Sequence, residues 1–163
     1  MQNSADRPNV VIWPPLLPLG TILAGLALDW IAPIGLLEML PAKLRSTIAL
    51  VTLLMGGFFG IAGIRAFLGA RVPVETWKPA TMLMSGGIYA RTRNPMYLGL
   101  GLGTIGLALV NASDWTMILL IPAAFILHYG IVMQEERYLE AKFGDDYRRY
   151  MRAVPRYGWR LRA

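Results

Sequence analysis

The sequence predicts an all-α polytopic membrane protein, with about four transmembrane helices and a C-terminal amphipathic helix lying at the interface. Three observations lead there. Only 16% of the 163 residues are charged and the mean hydropathy is +0.46, whereas a soluble domain carries about 25% charged residues. Charge is excluded from four windows, between Arg7 and Asp29, Arg45 and Arg65, Arg93 and Asp114, and Asp114 and Glu135. Each window is about 20 residues long, the length a helix needs to cross a ~30 Å hydrocarbon core. Finally, the net charge of +6 is sorted along the chain rather than spread evenly.

Span one is expected over about residues 10–29. Pro14, Pro15 and Pro18 near its start bend or delay the helix, and Trp13 and Trp30 bracket it as interfacial anchors. Span two is expected over about 46–68, with Ser46 as N-cap. Its Gly56, Gly60 and Gly63 fall along one side, where a neighbouring helix can approach closely. A long loop, 69–94, follows, with Pro73, Pro79 and the Gly86–Gly87 pair. Loops beyond about 12–15 residues tend to carry function.

Spans three (about 95–111) and four (about 115–134) are joined by Asn-Ala-Ser-Asp, so short a turn that the two must form an antiparallel hairpin. The loop and the tail, 135–163, therefore lie at the same end. In the tail, Leu139, Phe143, Tyr147, Tyr150, Met151 and Val154 recur at helical spacing among basic residues, the signature of a helix in the interface plane. No internal repeat or second domain is evident, so 1–163 reads as one domain.

Charge orients this arrangement. Residues 65–93 hold Arg65, Arg71, Lys78, Arg91 and Arg93 against Glu75 alone, and the tail beyond Glu135 carries a further set that runs from Arg137 to Arg162. Positive loops stay cytoplasmic. Both termini and the loop thus face the cytoplasm, the 30–45 and 111–114 turns face outward, and an even number of spans fits. The excess follows topology and calls for no nucleic-acid partner. With no cysteine and His128 as the one histidine, thiolate and histidine-rich metal sites are excluded.

Several motifs bear on chemistry. Gly-Leu-Gly-Thr-Ile-Gly at 101–106 matches the dinucleotide fingerprint, but that motif needs a preceding strand; inside a span, Gly99, Gly103 and Gly106 read as packing glycines. Arg91 and Arg93 precede the start of span three, where free N–H groups and the helix dipole favour an anion, and Tyr89 and Tyr97 flank the same point. The plain alternative is a cationic flank with Pro95 in the first helical turn. Glu135 and Glu136 close span four, where a carboxylate opposes the helix dipole. A cationic or polyhydroxylated partner would relieve that, as would simple pairing with the loop arginines. His128, about two turns earlier, suits either a functional or a hydrogen-bonded packing role.

The segments KPATMLMSGGIYARTRNPMYLG and EERYLEAKFGDDYRRYMRAVPR, in that order around a hairpin, resemble the isoprenylcysteine carboxyl methyltransferase and phospholipid methyltransferase superfamily over about residues 72–157. The resemblance implies a small integral membrane enzyme that uses S-adenosyl-L-methionine. Carried over position by position, it implies a cofactor site of Thr81, Met82, Leu83, Met84, Tyr89, Arg93, Asn94, Pro95, Met96, Tyr97 and Glu135. Two positions depart from the carboxyl methyltransferases: Asn94 replaces a histidine, and Ile131 stands where an arginine meets the substrate.

A lipophilic acceptor, either an isoprenylcysteine-type carboxylate or a phospholipid amine, would enter from the membrane. Methyl transfer to a carboxylate joins opposite charges and needs no base; an amine must first lose a proton, for which Glu136 and His128 are the candidates. Membrane lipids are the expected surroundings, the bacterial inner membrane the expected location, and no obligate protein partner is implied. An NADPH-dependent sterol-type reductase shares a similar Arg-His-Pro-x-Tyr segment and is one alternative; a non-catalytic membrane module is the other.

Overall fold

Prolines decide where the first helix begins. The computed structural model describes residues 8–73 and 78–160; Arg7, Glu75 and Arg162 of the charge pattern lie outside the described residues. Helix α1, Leu16–Ile31, starts later than residue 10 because Pro14 and Pro15 lack N–H groups and hold the preceding chain extended or in turns. Pro18 falls in its first turn, where a missing N–H costs nothing.

Helix α2, Ala42–Ala70, likewise begins behind a proline, Pro41. Ser46 is therefore not the N-cap; it lies within the helix and its hydroxyl donates back to the Lys43 carbonyl at 3.1 Å. Arg71 ends α2 in the left-handed region, φ 56° and ψ 36°. Beyond it, the loop's only regular element among the described residues is a 3₁₀ turn, Gly87–Ala90.

Helix α3, Pro95–Val110, has Asn94 at its N-cap position and Pro95 in its first turn, as the sequence predicts. Helix α4, Asp114–Phe125, is capped by Ser113, whose Oγ accepts from Thr116 N at 3.1 Å. The chain then widens into a π-helical turn, Ile126–Val132, and continues without a break into α5, Met133–Phe143. The resulting helix of 30 residues is about 45 Å long, half as long again as a ~30 Å hydrocarbon core. Its charge-free part ends at Gln134, so the glutamates stand past the apolar stretch.

Gly144, φ 54° and ψ −123°, breaks the tail before α6, Asp145–Ala153. Leu139 and Phe143 thus belong to α5 and the tyrosines to α6, not to one helix. Nor does the apolar side of α6 face lipid: Tyr147, and Val154 just beyond the helix, are buried inside the protein.

Two helices, Ala42–Ala70 and Asp114–Phe143, are long and apolar enough to cross a membrane; α1 and α3 are shorter apolar helices. Glycine holds α2 against α3. A Cβ on Gly56 would lie 2.9 Å from the Gly99 carbonyl oxygen, and one on Gly99 would lie 2.8 Å from Gly56 O and Gly60 N. In lipid, where burying apolar surface gives no net drive, such backbone approach supplies the packing.

The end that carries the α3–α4 turn is tied by two carboxylates. Asp114 accepts from Leu36 N at 2.8 Å and Leu37 N at 3.0 Å, and Asp29 accepts from the Ser113 hydroxyl and from Trp115 N. Leu23, Leu54, Phe58, Ile61, Ile121 and Phe125 remain exposed, an apolar belt suited to lipid.

Candidate active site

The short turn between α3 and α4 returns the chain to the end at which α3 began. Asn94 and Pro95 therefore stand beside the acidic pair, and the Tyr97 hydroxyl donates to Glu135 Oε1 at 2.6 Å. The tail closes over this junction. Residues 155–160 run alongside 91–94: Arg93 N donates to Pro155 O at 3.0 Å, Arg160 N to Arg91 O at 2.8 Å, and Asn94 Nδ2 to Arg156 O at 3.1 Å. From α6, the Tyr150 hydroxyl donates to Tyr89 O at 2.7 Å. From α5, the Tyr138 hydroxyl accepts from Ala80 N at 3.0 Å.

An ion cluster locks the same junction. Glu136, 8% exposed, takes Arg156 through both oxygens (Nε to Oε1 2.9 Å, Nη2 to Oε2 2.6 Å) and Arg93 Nη2 on Oε1 at 2.8 Å. Arg93 also donates from Nη1 to Met151 O at 3.0 Å. Hydrogen bonding to Glu136 holds the Arg156 guanidinium above its ordinary range. One buried and one partly exposed guanidinium share this carboxylate, so removing Glu136 would strand both.

Between loop, α3, α5 and α6 lies a chamber with an empty volume of about 930 Å³, counting its open mouth. Its apolar wall comes from Met82, Leu83, Met84 and Met96, with Phe67 and Val72 from the end of α2. Its polar lining comes from Lys78, Arg93, Asn94, Glu135, Glu136 and the tyrosines at 89, 97, 138, 147 and 150. Tyr89 is 6% exposed and its Oη has no hydrogen-bond partner, although such buried hydroxyls are nearly always paired. Burial, the largest cause, raises the tyrosines at 89, 147 and 150 above the ordinary phenol range. They stay neutral hydrogen-bond donors. A concave site with apolar walls and convergent polar groups is the usual form of a small-molecule site.

A family model described as phospholipid methyltransferase matches residues 44–146, more than half of the chain. The chain belongs to the phospholipid methyltransferase family. No curated protein and no solved structure gives a significant match. As a member of this family, within the superfamily of small membrane methyltransferases that the motifs resemble, it is a membrane methyltransferase acting on lipid-like substrates. Methyltransferases of this kind generally use S-adenosyl-L-methionine. The matched stretch runs from α2 to the start of α6. It holds Arg93 and both glutamates but not Arg156, the third member of the joint.

The chamber gathers most, not all, of the residues implied by resemblance. Met82, Leu83, Met84, Tyr89, Arg93, Asn94, Met96, Tyr97 and Glu135 line it. Thr81 is exposed and does not, and Pro95 is buried in the helix start. Arg93 reaches the wall with its two terminal nitrogens committed to Met151 O and Glu136, while its buried Nε has no hydrogen-bond partner.

Of the two proton-acceptor candidates, Glu136 is held by two guanidiniums. His128 lies on the π turn outside the chamber, its Nδ1 3.0 Å from the Tyr157 hydroxyl. Burial pushes that phenol up to about 12. Tyr138, Tyr147 and Tyr150 line the chamber without having been expected there. The spacing of Tyr147 and Tyr150 was visible, but nothing local distinguishes a helix face turned to a cavity from one turned to lipid.

Proposed function

We propose that this family member is an S-adenosyl-L-methionine-dependent methyltransferase whose acceptor is the amine of a lipid headgroup. One observation carries the choice of acceptor: the chamber offers Glu135, a carboxylate that forms no ion pair among the described residues, beside aromatic rings. Arg93 donates to Glu136 and to Met151 O, and Lys78, which also lines the chamber, is not free. Ile131, at the position where carboxylate-directed relatives keep an arginine, is apolar and 0% exposed. A carboxylate acceptor would therefore be desolvated without a partner. An ammonium headgroup instead meets Glu135 and the rings of Tyr97, Tyr147 and Tyr150, an environment that favours cations.

The residues present also suit the cofactor. When bound, it supplies an electrophilic methyl group on a sulfonium. The first N–H groups of α3, at Met96 and Tyr97, have no partner within the helix and suit its carboxylate. The unpaired Tyr89 hydroxyl suits a ribose or ammonium contact, and the methionine walls exclude water from the reacting groups. Thr81 and Pro95 act at one remove, by shaping the loop and the helix start. We place the chamber on the cytoplasmic face, with α1 to α4 forming four crossings of a single domain and the acceptor arriving from the bilayer.

Purified protein in detergent should bind S-adenosylhomocysteine in calorimetry. It should then transfer label from the methyl donor to phosphatidylethanolamine but not to a farnesylcysteine analogue. Labelling of the farnesylcysteine carboxylate alone would reverse the choice of acceptor. Saturable NADPH binding without S-adenosylhomocysteine binding would favour a reductase, and binding of neither a passive module.

A further inference from the structure

We infer that residues 8–13 are the side of the chamber that opens to the bilayer, swinging away from the π turn of the long helix to admit a lipid acceptor. This rests on the reading that the acceptor arrives from the bilayer, and not on which headgroup it carries.

The segment runs without helix or strand from the chamber to the Pro14–Pro15 pair that precedes α1. At its first end Pro8 is buried and lines the chamber. Midway, Val11 N donates to the carbonyl of Gly130, within the π turn, at 3.1 Å. Glycine permits that approach, since a Cβ at 130 would lie 3.3 Å from Val11 Cγ2. Yet the segment is thinly covered. None of residues 9–13 is buried, and Val11 is 75% exposed.

Depth gives this contact its meaning. Gly130 stands four residues before Gln134, where the charge-free stretch ends, so it lies about 6 Å inside the hydrocarbon. Non-helical backbone at such a depth is tolerated where it is buried in protein or lines a cavity. Residues 8–13 do the second, and the Gly130 carbonyl meets a donor that lipid would leave unpaired.

Other sides of the chamber are fixed. Backbone contact at Gly56, Gly60 and Gly99 joins α2 to α3. The loop, α5 and the tail meet at the Glu136 ion cluster. The π turn is itself a firm post: Ile131 and Val132 are 0% exposed, and the Tyr157 hydroxyl of the tail meets His128. Against these, a segment with so few buried contacts opens at low cost. Pro14, which is buried, gives it a stationary end, and the fixed φ of the two prolines makes that end a stiff pivot.

The chain has no cysteine, so an engineered pair meets no competing thiol. A Cβ at 130 would lie 3.5 Å from that of Val11, within disulfide range. Val11→Cys combined with Gly130→Cys therefore locks the segment shut on oxidation. The double variant is placed in bilayers of phosphatidylethanolamine doped with a lipid that carries a diazirine on its headgroup, and crosslinks at Met84 and Met96 are read by mass spectrometry. Reduced protein should crosslink as wild type does. Oxidation should lower crosslinking, and methyl transfer to bilayer lipid with it, by about tenfold or more, as blocking an entry step does. The Kd for S-adenosylhomocysteine should hold, because the cofactor comes from water, and a reducing agent should restore both losses. Equal crosslinking in the two states overturns the inference. So does an oxidised form that also loses S-adenosylhomocysteine, since the segment would then keep the chamber in shape rather than admit lipid. Should the pair fail to fold or to oxidise, Val11→Pro removes the donor N–H instead, and crosslinking should rise about twofold or more; an unchanged yield overturns the inference equally. A wild type that methylates water-soluble dihexanoyl phosphatidylethanolamine but is never crosslinked sinks the bilayer route itself, and this opening with it.

Discussion

Arg156 grips Glu136 through both carboxylate oxygens, at 2.9 and 2.6 Å, and so ties the far end of the chain to the end of its longest helix. Arg93 reaches the same carboxylate from the loop at 2.8 Å. Three segments far apart in sequence are thereby fixed at one buried point.

Removing the shared carboxylate should therefore cost stability. Glu136→Gln leaves two guanidiniums facing a neutral amide, and breaking a buried pair on one side costs about 3–5 kcal/mol. Melting in detergent should show a large drop for Glu136→Gln, with Arg156→Ala less affected because Arg156 is partly exposed. A melting temperature unchanged in Glu136→Gln would mean that the joint does not hold the tail.

The α2–α3 contact makes a second, local prediction. A Cβ on Gly99 meets backbone of Gly56 and Gly60 at 2.8 Å, whereas one on Gly103 meets nothing within 4 Å. Gly99→Ala should force the helices apart and destabilise by about 1–3 kcal/mol, as overpacking does. Gly103→Ala should be neutral or slightly stabilising, since alanine is the better helix former. Equal effects at the two sites would contradict the close approach.

Much of this was legible in the sequence, for identifiable reasons. Charge-free windows located the apolar helices, because exclusion of charge is a direct consequence of the hydrocarbon core. The hairpin turn placed Asn94 beside Glu135, because four residues between antiparallel helices leave no alternative. What escaped depended on tertiary contact. Ser46 has the chemistry of a cap, but Pro41 starts the helix first. Gly144 marks the break in the tail, yet apolar spacing carried straight across it. Pairing of loop arginines with the glutamates was foreseeable, but not that Glu136 takes both guanidiniums while Glu135 takes a phenol. That division depends on where Pro155 and Arg156 return, which no local pattern records.

Alkaline pH should loosen the tail. The unfolded chain ionises tyrosine near 10, while burial holds Tyr147 and Tyr150 above that value in the folded protein. A group raised on folding favours the fold fully below its unfolded value, and the advantage is lost as pH rises toward the folded one. Melting temperature should thus stay flat to about pH 9.5 and fall beyond it. Tyr147→Phe should flatten that fall, and a wild-type curve level to pH 11 would contradict the burial.

The unpaired hydroxyl of Tyr89 separates a binding role from a structural one. In the free protein it is buried with no partner, so Tyr89→Phe removes an unsatisfied group and keeps the ring, which packs edge-on against Phe67 at 5.5 Å. Stability should hold or rise slightly. If a ligand satisfies that oxygen, binding of S-adenosylhomocysteine should weaken by about three- to tenfold, the worth of one neutral hydrogen bond, ~0.5–1.5 kcal/mol. Calorimetry and melting on the same preparation read both effects. A variant that binds as tightly as wild type would place the ligand elsewhere in the chamber, away from the 3₁₀ turn.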